Sequence, residues 1–311
     1  MTTPLLRIGT RGSPLALAQA EEVRRRLAAN WPDLAAPGAV AILPIKTTGD
    51  RIQDRTLANA GGKGLFTKEI EEALLAGTVD IAVHSMKDMP TWLPDGLVIE
   101  WLLPREDPRD VLIAEGARRI ADLPSGAVIG TSSLRRQAQI LAARPDLRVV
   151  NLRGNVETRL RKIAAGEANA TLLALAGLKR LGLDRYGQAV LDTAEMLPAV
   201  AQGAIGIECR QSDSRARRFL DPLHHVETGM AVAAERALLA RLDGSCRTPI
   251  AALAVIDGGR RLRLDALIAT PDGRRVLRAV REGAASDAAA LGHDAGEELR
   301  QTAGPDFFGR V

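Results

Sequence analysis

Aromatic residues are scarce: the 311-residue chain holds four Phe, three Trp and one Tyr. So few rings make poor stacking platforms for single-stranded nucleic acid, and the cores must be built from Leu, Val, Ile and Ala. Cysteine is scarcer. Cys209 and Cys246 form no CxxC pair and are too few for a disulfide framework, which fits a reducing compartment and disfavours structural zinc. The N-terminal Met1-Thr2-Thr3-Pro4-Leu5-Leu6-Arg7 has no apolar signal core, and no apolar run approaches the roughly 18 residues of a membrane span. Charge of one sign is missing too. Against 38 Asp and Glu stand 42 Lys and Arg, a formal +4, too small a surplus to make a polyanion binder. The expectation is a cytoplasmic protein with no metal, no membrane and no nucleic-acid partner.

What is present is ordinary globular composition, 46% hydrophobic and 26% charged, in a chain long enough for about two domains and a smaller third. A strand over Leu5–Ile8 meets the loop Gly9-Thr10-Arg11-Gly12, after which Ser13 caps a helix with Pro14 in its first turn, running to about Ala29. A second strand spans Val40–Ile45. The polar stretch from Lys46 to Ala60, ending in Gly61-Gly62-Lys63-Gly64, shows no periodicity and predicts a lid. Leu65, Ile70, Ala73 and Leu74 form a helical stripe, and Asp80–His84 reads as a buried strand stopping at Ser85-Met86-Lys87-Asp88-Met89-Pro90. Strand, helix, strand is a parallel-sheet rhythm.

The rhythm returns with strands at Val111–Ala114, Val128–Gly130, Val149–Leu152 and Thr171–Leu175, the last three leading into helices. Ala204–Glu208 reads as a further strand that either unit can claim. From about Val226 the pattern changes: a helix over Ala231–Leu242, strands at Leu262–Ala269 and Arg275–Val280 joined by Pro271-Asp272-Gly273, and a helix over Asp287–Gln301. The predicted class is α/β with a small C-terminal α+β domain.

Several strand ends run at once into small polar residues and then a cation, and in open α/β sheets the ligand crevice lies beyond such ends. Gly130-Thr131-Ser132-Ser133-Leu134-Arg135-Arg136 sets hydroxyls, N–H groups and two guanidiniums at a helix start, where a carboxylate or phosphate is favoured. Asn151-Leu152-Arg153-Gly154-Asn155-Val156-Glu157-Thr158-Arg159 repeats the device, and Arg11 and Arg180 follow two more strands. Singly these arginines read as solvated helix faces; as a set they point to an anion. Lys63 reads as a loop lysine, since no Ser or Thr follows to make a phosphate loop and no GxGxxG occurs. Asp88, after a buried strand and beside Lys87, suits either a carboxylate that stabilises a cation or an acid that protonates a leaving amine. His84 reads equally as a core histidine or a catalyst. Arg247 beside Cys246 favours thiolate chemistry, whereas Cys209 reads as a small buried hydrophobe.

Taken in order, Val83-His84-Ser85-Met86-Lys87-Asp88-Met89-Pro90, Gly130-Thr131-Ser132-Ser133-Leu134-Arg135-Arg136-Gln137, Asn151-Leu152-Arg153-Gly154-Asn155, Ala199-Val200-Ala201-Gln202-Gly203-Ala204 and Gly244-Ser245-Cys246 closely resemble the porphobilinogen deaminase family, from Arg7 to the C-terminal domain. The resemblance implies two lobes like those of type II periplasmic binding proteins and a small third domain, divided as 1–103 with 204–221, 104–203, and 222–311. It implies a monomer whose Cys246 carries a thioether-linked dipyrromethane. On this primer four porphobilinogen molecules would be joined head to tail, each losing ammonia, before hydrolysis releases hydroxymethylbilane. Asp88 matches the catalytic aspartate. Arg11, Arg135, Arg136, Arg153, Arg159 and Arg180 match positions that hold the pyrrole carboxylates, with Ser13, Lys63, Ser85, Lys87, Thr131, Ser133 and Gln202 completing the expected site. Asn59 stands where some members carry lysine, and Ala201 where glycine is frequent, which makes the backbone there less permissive. The rival class is a two-lobed small-anion sensor, which explains the arginines but leaves Asp88 and Cys246 idle.

Overall fold

The computed structural model describes residues 4–51, 66–244, 248–258, 260–305 and 307. Lys63, Asn59 and Cys246, and the predicted lid beyond Arg51, lie outside the described residues. The chain forms two compact units, the first holding the described residues up to Arg105 with Ala204–Gly229, the second Glu106–Gly203 with the described residues from Met230 onward.

In the first unit β1 (Leu6–Arg11) leads into α1 (Pro14–Asn30), then α2 (Pro32–Ala35), β2 (Val40–Ile45), α3 (Thr48–Arg51), α4 (Lys68–Leu75), β3 (Ile81–Ser85) and β4 (Leu97–Leu102). Helix α1 starts as its sequence predicts: Ser13 Oγ accepts from the Ala16 N–H at 3.3 Å, and Pro14 needs no donor at that position. Its apolar stripe, Ala16, Ala20, Val23 and Leu27, is buried against Leu6, Ile8, Ile81 and Val83. Each such fully buried Leu or Ile contributes about 1.5–3 kcal/mol of transfer free energy. The Gly9-Thr10-Arg11 segment is strand and not loop, because Gly9, Thr10 and Arg11 still pair in register with Leu43, Pro44 and Ile45.

The second unit begins with β5 (Asp110–Ala114), β6 (Val128–Gly130), α5 (Leu134–Ala143), β7 (Arg148–Val150), α6 (Val156–Ala164), β8 (Ala170–Ala174) and α7 (Leu175–Arg180). The chain then returns to the first unit through β9 (Ile205–Arg210) and α8 (Ser214–Leu220), and continues as α9 (Val226–Arg241), β10 (Ile250–Ile256), β11 (Arg261–Ala269), β12 (Val276–Ala284) and α10 (Ala288–Ala303). The sheets are mixed, not purely parallel. In the order β2-β1-β3-β9-β4, strand β9 runs antiparallel to both neighbours; in β5-β8-β6-β7, β5 runs antiparallel to β8. A three-stranded antiparallel sheet, β10-β11-β12, carries α10 on β12 and packs Ala251, Leu253, Leu267 and Ala269 against Ala138 of α5.

Two backbone positions deserve their geometry. Ala201 lies at φ +57°, a left-handed conformation that costs a non-glycine residue about 1–2 kcal/mol. Its N–H donates to Glu235 Oε2 at 2.5 Å, and the other oxygen of this fully buried carboxylate accepts from Ala254 N–H at 2.8 Å, so α9 pins the strained turn to β10. At Gly292 of α10, an added Cβ would lie 2.0 Å from the Ala234 carbonyl oxygen of α9. Glycine to alanine ordinarily favours a helix by about 1 kcal/mol, but here the clash reverses the sign. Gly292→Ala is expected to lose about 1–3 kcal/mol, read as a lower thermal midpoint by circular dichroism.

Candidate active site

In the first unit the site is built where β3 ends. Met86, 2% exposed, is locked by its N–H to the Ala204 carbonyl (3.0 Å) and by side-chain packing over Gly206, where a Cβ would meet its sulfur at 2.1 Å. A single 3-10 turn, Met86–Asp88, follows and closes with Met89 N–H on the Met86 carbonyl. With Met86 as the anchor, the next two side chains stand outside the core: Lys87 is half-buried and Asp88 exposed. Asp88 faces a small cavity of about 50 Å³ that Arg11, Ser13, Gln19, His84 and Ser85 also line. Arg11, at the end of β1, lays its guanidinium 4.2 Å over the Phe66 ring, which fixes a delocalised cation beside the carboxylate.

Gln19 was not among the residues expected from sequence. It is 4% exposed on the otherwise apolar inner stripe of α1, and a polar residue interrupting such a stripe is the signal that marks it.

In the second unit, the junctions after β6 and β7 form as their sequences predict. Ser133 caps α5, accepting from Arg136 N–H at 3.5 Å, and Thr131 Oγ1 accepts from Ser133 N–H at 3.1 Å. Asn155 caps α6 through Thr158 N–H at 2.8 Å; Gly154 takes φ +129°, and a side chain there would strike Thr158 at 2.6 Å. Half-buried Arg153 and Arg159 belong to this junction, Arg159 Nε donating to the Gly154 carbonyl at 2.9 Å. Arg180, at the end of α7, donates to the Gly203 carbonyl at 3.0 Å.

Arg135 and Arg136 differ from the expectation of open anion grips. Both are 5% exposed, and both reach inward to Asp110, which is fully buried. Arg135 NH2 donates to Asp110 Oδ2 at 2.7 Å and Arg136 NH2 to Oδ1 at 2.8 Å, while their NH1 groups hold the Leu197 and Leu172 carbonyls. Gln202 Nε2 adds a bond to Asp110 Oδ1 at 2.9 Å and one to the Pro108 carbonyl at 2.6 Å. Burial pushes the Asp110 carboxyl up, but the two guanidinium charges prevail and hold it far below the ordinary carboxylate range. The reason lies in the helix start: the second and third residues of α5, Arg135 and Arg136, reach back to β5, where Asp110 begins the edge strand. Among the described residues, two guanidiniums against one carboxylate leave one buried positive charge in excess, and Arg135 Nε has no hydrogen-bond partner.

The family model described as porphobilinogen deaminase, dipyromethane cofactor binding domain, matches residues 6–218, and that described as porphobilinogen deaminase, C-terminal domain, matches residues 230–301. The chain belongs to the porphobilinogen deaminase family. A porphobilinogen deaminase of Nitrobacter winogradskyi is 59% identical over 307 residues, covering 99% of this chain and 96% of the relative. A chloroplastic porphobilinogen deaminase of Oryza sativa subsp. japonica is 56% identical, covering 98% and 86%. Among solved structures, a putative methionine-binding lipoprotein of Bacillus subtilis overlays 72% of this chain and 91% of its own at TM-score 0.43 and 15% identity, a loose likeness that says nothing of activity. Membership makes the protein an enzyme, a transferase of tetrapyrrole biosynthesis acting as a hydroxymethylbilane synthase, with a dipyrromethane cofactor. Among the described residues, no helix is long and apolar enough to cross a membrane. The surplus buried cation at Arg135 and Arg136 fits a group that carries carboxylates: a bound anion would neutralise what Asp110 alone does not.

Proposed function

We propose that Asp88 is the carboxylate that handles protons and stabilises positive charge during head-to-tail condensation of porphobilinogen, with Arg11, Ser13, Ser85 and Lys87 beside it. The observation that carries this reading is the cavity at the end of β3, where Asp88 stands among Arg11, Ser13 and Ser85 as the one carboxylate lining it among the described residues. Thr131, Ser133, Arg135, Arg136, Arg153, Arg159, Arg180 and Gln202 form the anion-holding set of the second unit, Arg135 and Arg136 acting from behind Asp110. Lys63 contributes a further donor and Cys246 the thioether. When bound, the dipyrromethane supplies the pyrrole carbon to which the first substrate unit is joined.

Around it, the chain's own groups divide the work. Arginines neutralise acetate and propionate groups in bidentate pairs, Ser13 and Ser85 orient the substrate by hydroxyl contacts, and Asp88 accepts or returns the proton. We also read a cytoplasmic monomer of three domains, divided as 1–103 with 204–221, 104–203, and 222–311, that binds no nucleic acid; the near-balanced charge and scarce aromatics support the last point.

Intact-protein mass spectrometry tests the attachment. Wild-type protein should exceed its polypeptide mass by the dipyrromethane adduct, and Cys246→Ala should weigh only its polypeptide and make no hydroxymethylbilane. An adduct retained on Cys209 would reject Cys246; that thiol is fully buried and pushed up to about 12 by desolvation, so it is a poor thiolate.

A further inference from the structure

One wall of the Asp88 cavity hides ionisable groups that the assignments above do not use. His84, on β3, lines the cavity, and its Nε2 shares a hydrogen bond with Glu208 Oε2 at 2.8 Å. The pair sits on adjacent antiparallel strands, His84 opposite Gly206 and Glu208 opposite Ala82, so both side chains project from the sheet face covered by α4. Both are deeply buried, 5% and 0% exposed. Glu71 of α4 lies over the same face at 6% exposure. Burial pushes its carboxyl up and the charge of Glu208 pushes the same way, against the opposing pulls of the Thr67 hydroxyl and, more weakly, of His84. Glu208 Oε1 and Glu71 Oε1 are buried and find no hydrogen-bond partner among the described residues. An unsatisfied buried carboxyl oxygen costs about 1–3 kcal/mol, so two of them beside one imidazole are a poor way to build a core. They are a sound way to hold a proton in more than one place.

The chemistry supplies that proton. When substrate loses ammonia, the C–N bond breaks and its electron pair leaves with nitrogen. The electron pair of the new C–C bond comes from the attacking pyrrole ring, and that ring recovers its aromaticity only by breaking the C–H bond at its attacking carbon, which releases the proton. One proton is therefore released per addition and ends in water, where ammonia takes it up. A carboxylate that accepts it must shed it before the next round.

We propose that His84, Glu208 and Glu71 form a buried proton-holding triad that takes this proton from Asp88 and so resets Asp88 between additions, making His84 and Glu208 positioning residues for the reaction. The inference rests on the reading of Asp88 given above. The charged groups that face the pair are Glu71 on α4, and Arg11 and Asp88 around the cavity.

The test uses holoenzyme labelled with 15N-histidine; the chain has only 4 His, so the His84 ring is resolvable. In wild type the His84 resonance should titrate with a midpoint that moves when Asp88→Asn removes the neighbouring charge, because coupling between two sites is reciprocal. In folded Glu208→Gln, which keeps shape and a hydrogen-bond acceptor, that movement should vanish. The same variant should lower kcat about 10-fold with KM for porphobilinogen within about two-fold, and shift the acid limb of the kcat profile to lower pH, because a buried negative charge that favours protonation nearby is gone. Unchanged kcat and pH limb, or a His84 titration indifferent to Asp88→Asn, would overturn the triad. Should Glu208→Gln not fold, Glu71→Gln is measured with the same readouts, and failure of both to fold assigns these residues to the core and also overturns it. If Asp88→Asn itself retains turnover, the reading of Asp88 has failed instead.

Discussion

Asp88→Asn is expected to lower kcat for hydroxymethylbilane formation by about 10³-fold or more while the protein stays folded. The magnitude follows from two losses at one atom. Removing a positioned acid or base typically forfeits about 10²–10⁴-fold, and removing a preorganised group aimed at developing charge about 10²–10³-fold, although the two overlap when one carboxylate does both. The fold should tolerate the change because the side chain is exposed at the tip of a 3-10 turn whose anchor is Met86, so stability should move by no more than about 0.5 kcal/mol. Asp88→Glu separates charge from position: it keeps the carboxylate but displaces it by one methylene, and should fall between wild type and Asp88→Asn. Stopped assays of product formation with circular dichroism on the same samples decide it. Turnover of Asp88→Asn within about 10-fold of wild type would move the proton chemistry to another group, with His84 on the same cavity wall the next candidate.

The local parts of this architecture were legible because local rules govern them. Ser13, Ser133 and Asn155 announce three helix starts and each caps through its own side chain. Strand β2 shows its full extent in Val40–Ile45. Two strands gave no such sign. In β4 the pairing with β9 shifts register between Ile99 and Trp101, and that bulge destroys the alternation by which a strand is recognised. In β10 the run Ile-Ala-Ala-Leu-Ala-Val-Ile is nearly all buried, so its period carries no information and its alanines favour helix. At the site, the Asp88 turn and the polar junctions of the second unit could be read because each lies within one short segment. The inward turn of Arg135 and Arg136 could not: their carboxylate is 25 and 26 residues away, and Glu208 lies 124 residues from His84. A guanidinium at a helix start looks the same in sequence whether it faces solvent, a ligand or a buried aspartate.

That buried aspartate sets the largest expected loss of stability. Asp110→Asn keeps the volume and one acceptor oxygen but leaves Arg135 and Arg136, each 5% exposed, with no counter-charge. Breaking a buried ion pair from one side typically costs about 3–5 kcal/mol, since the remaining charge stays desolvated. Two stranded guanidiniums put Asp110→Asn at the upper end, a drop in thermal midpoint of about 10 °C or more for a protein of this size. The pH dependence identifies the cause. The folded carboxyl is held far below its unfolded value near 3.9, so its contribution is complete at neutral pH, begins to fade as pH falls past about 4, and is lost as pH approaches the depressed folded value. The gap in midpoint between wild type and Asp110→Asn should therefore be widest near pH 7 and narrow steadily between about pH 4 and pH 2. A gap that does not change with pH would mean that asparagine disturbs packing and not charge. Because Gln202 also bonds Asp110 Oδ1, the loss should reach the Gly203 turn to which Arg180 is tied, and surviving Asp110→Asn enzyme should show a raised KM for the polycarboxylate substrate as its arginines lose their fixed aim.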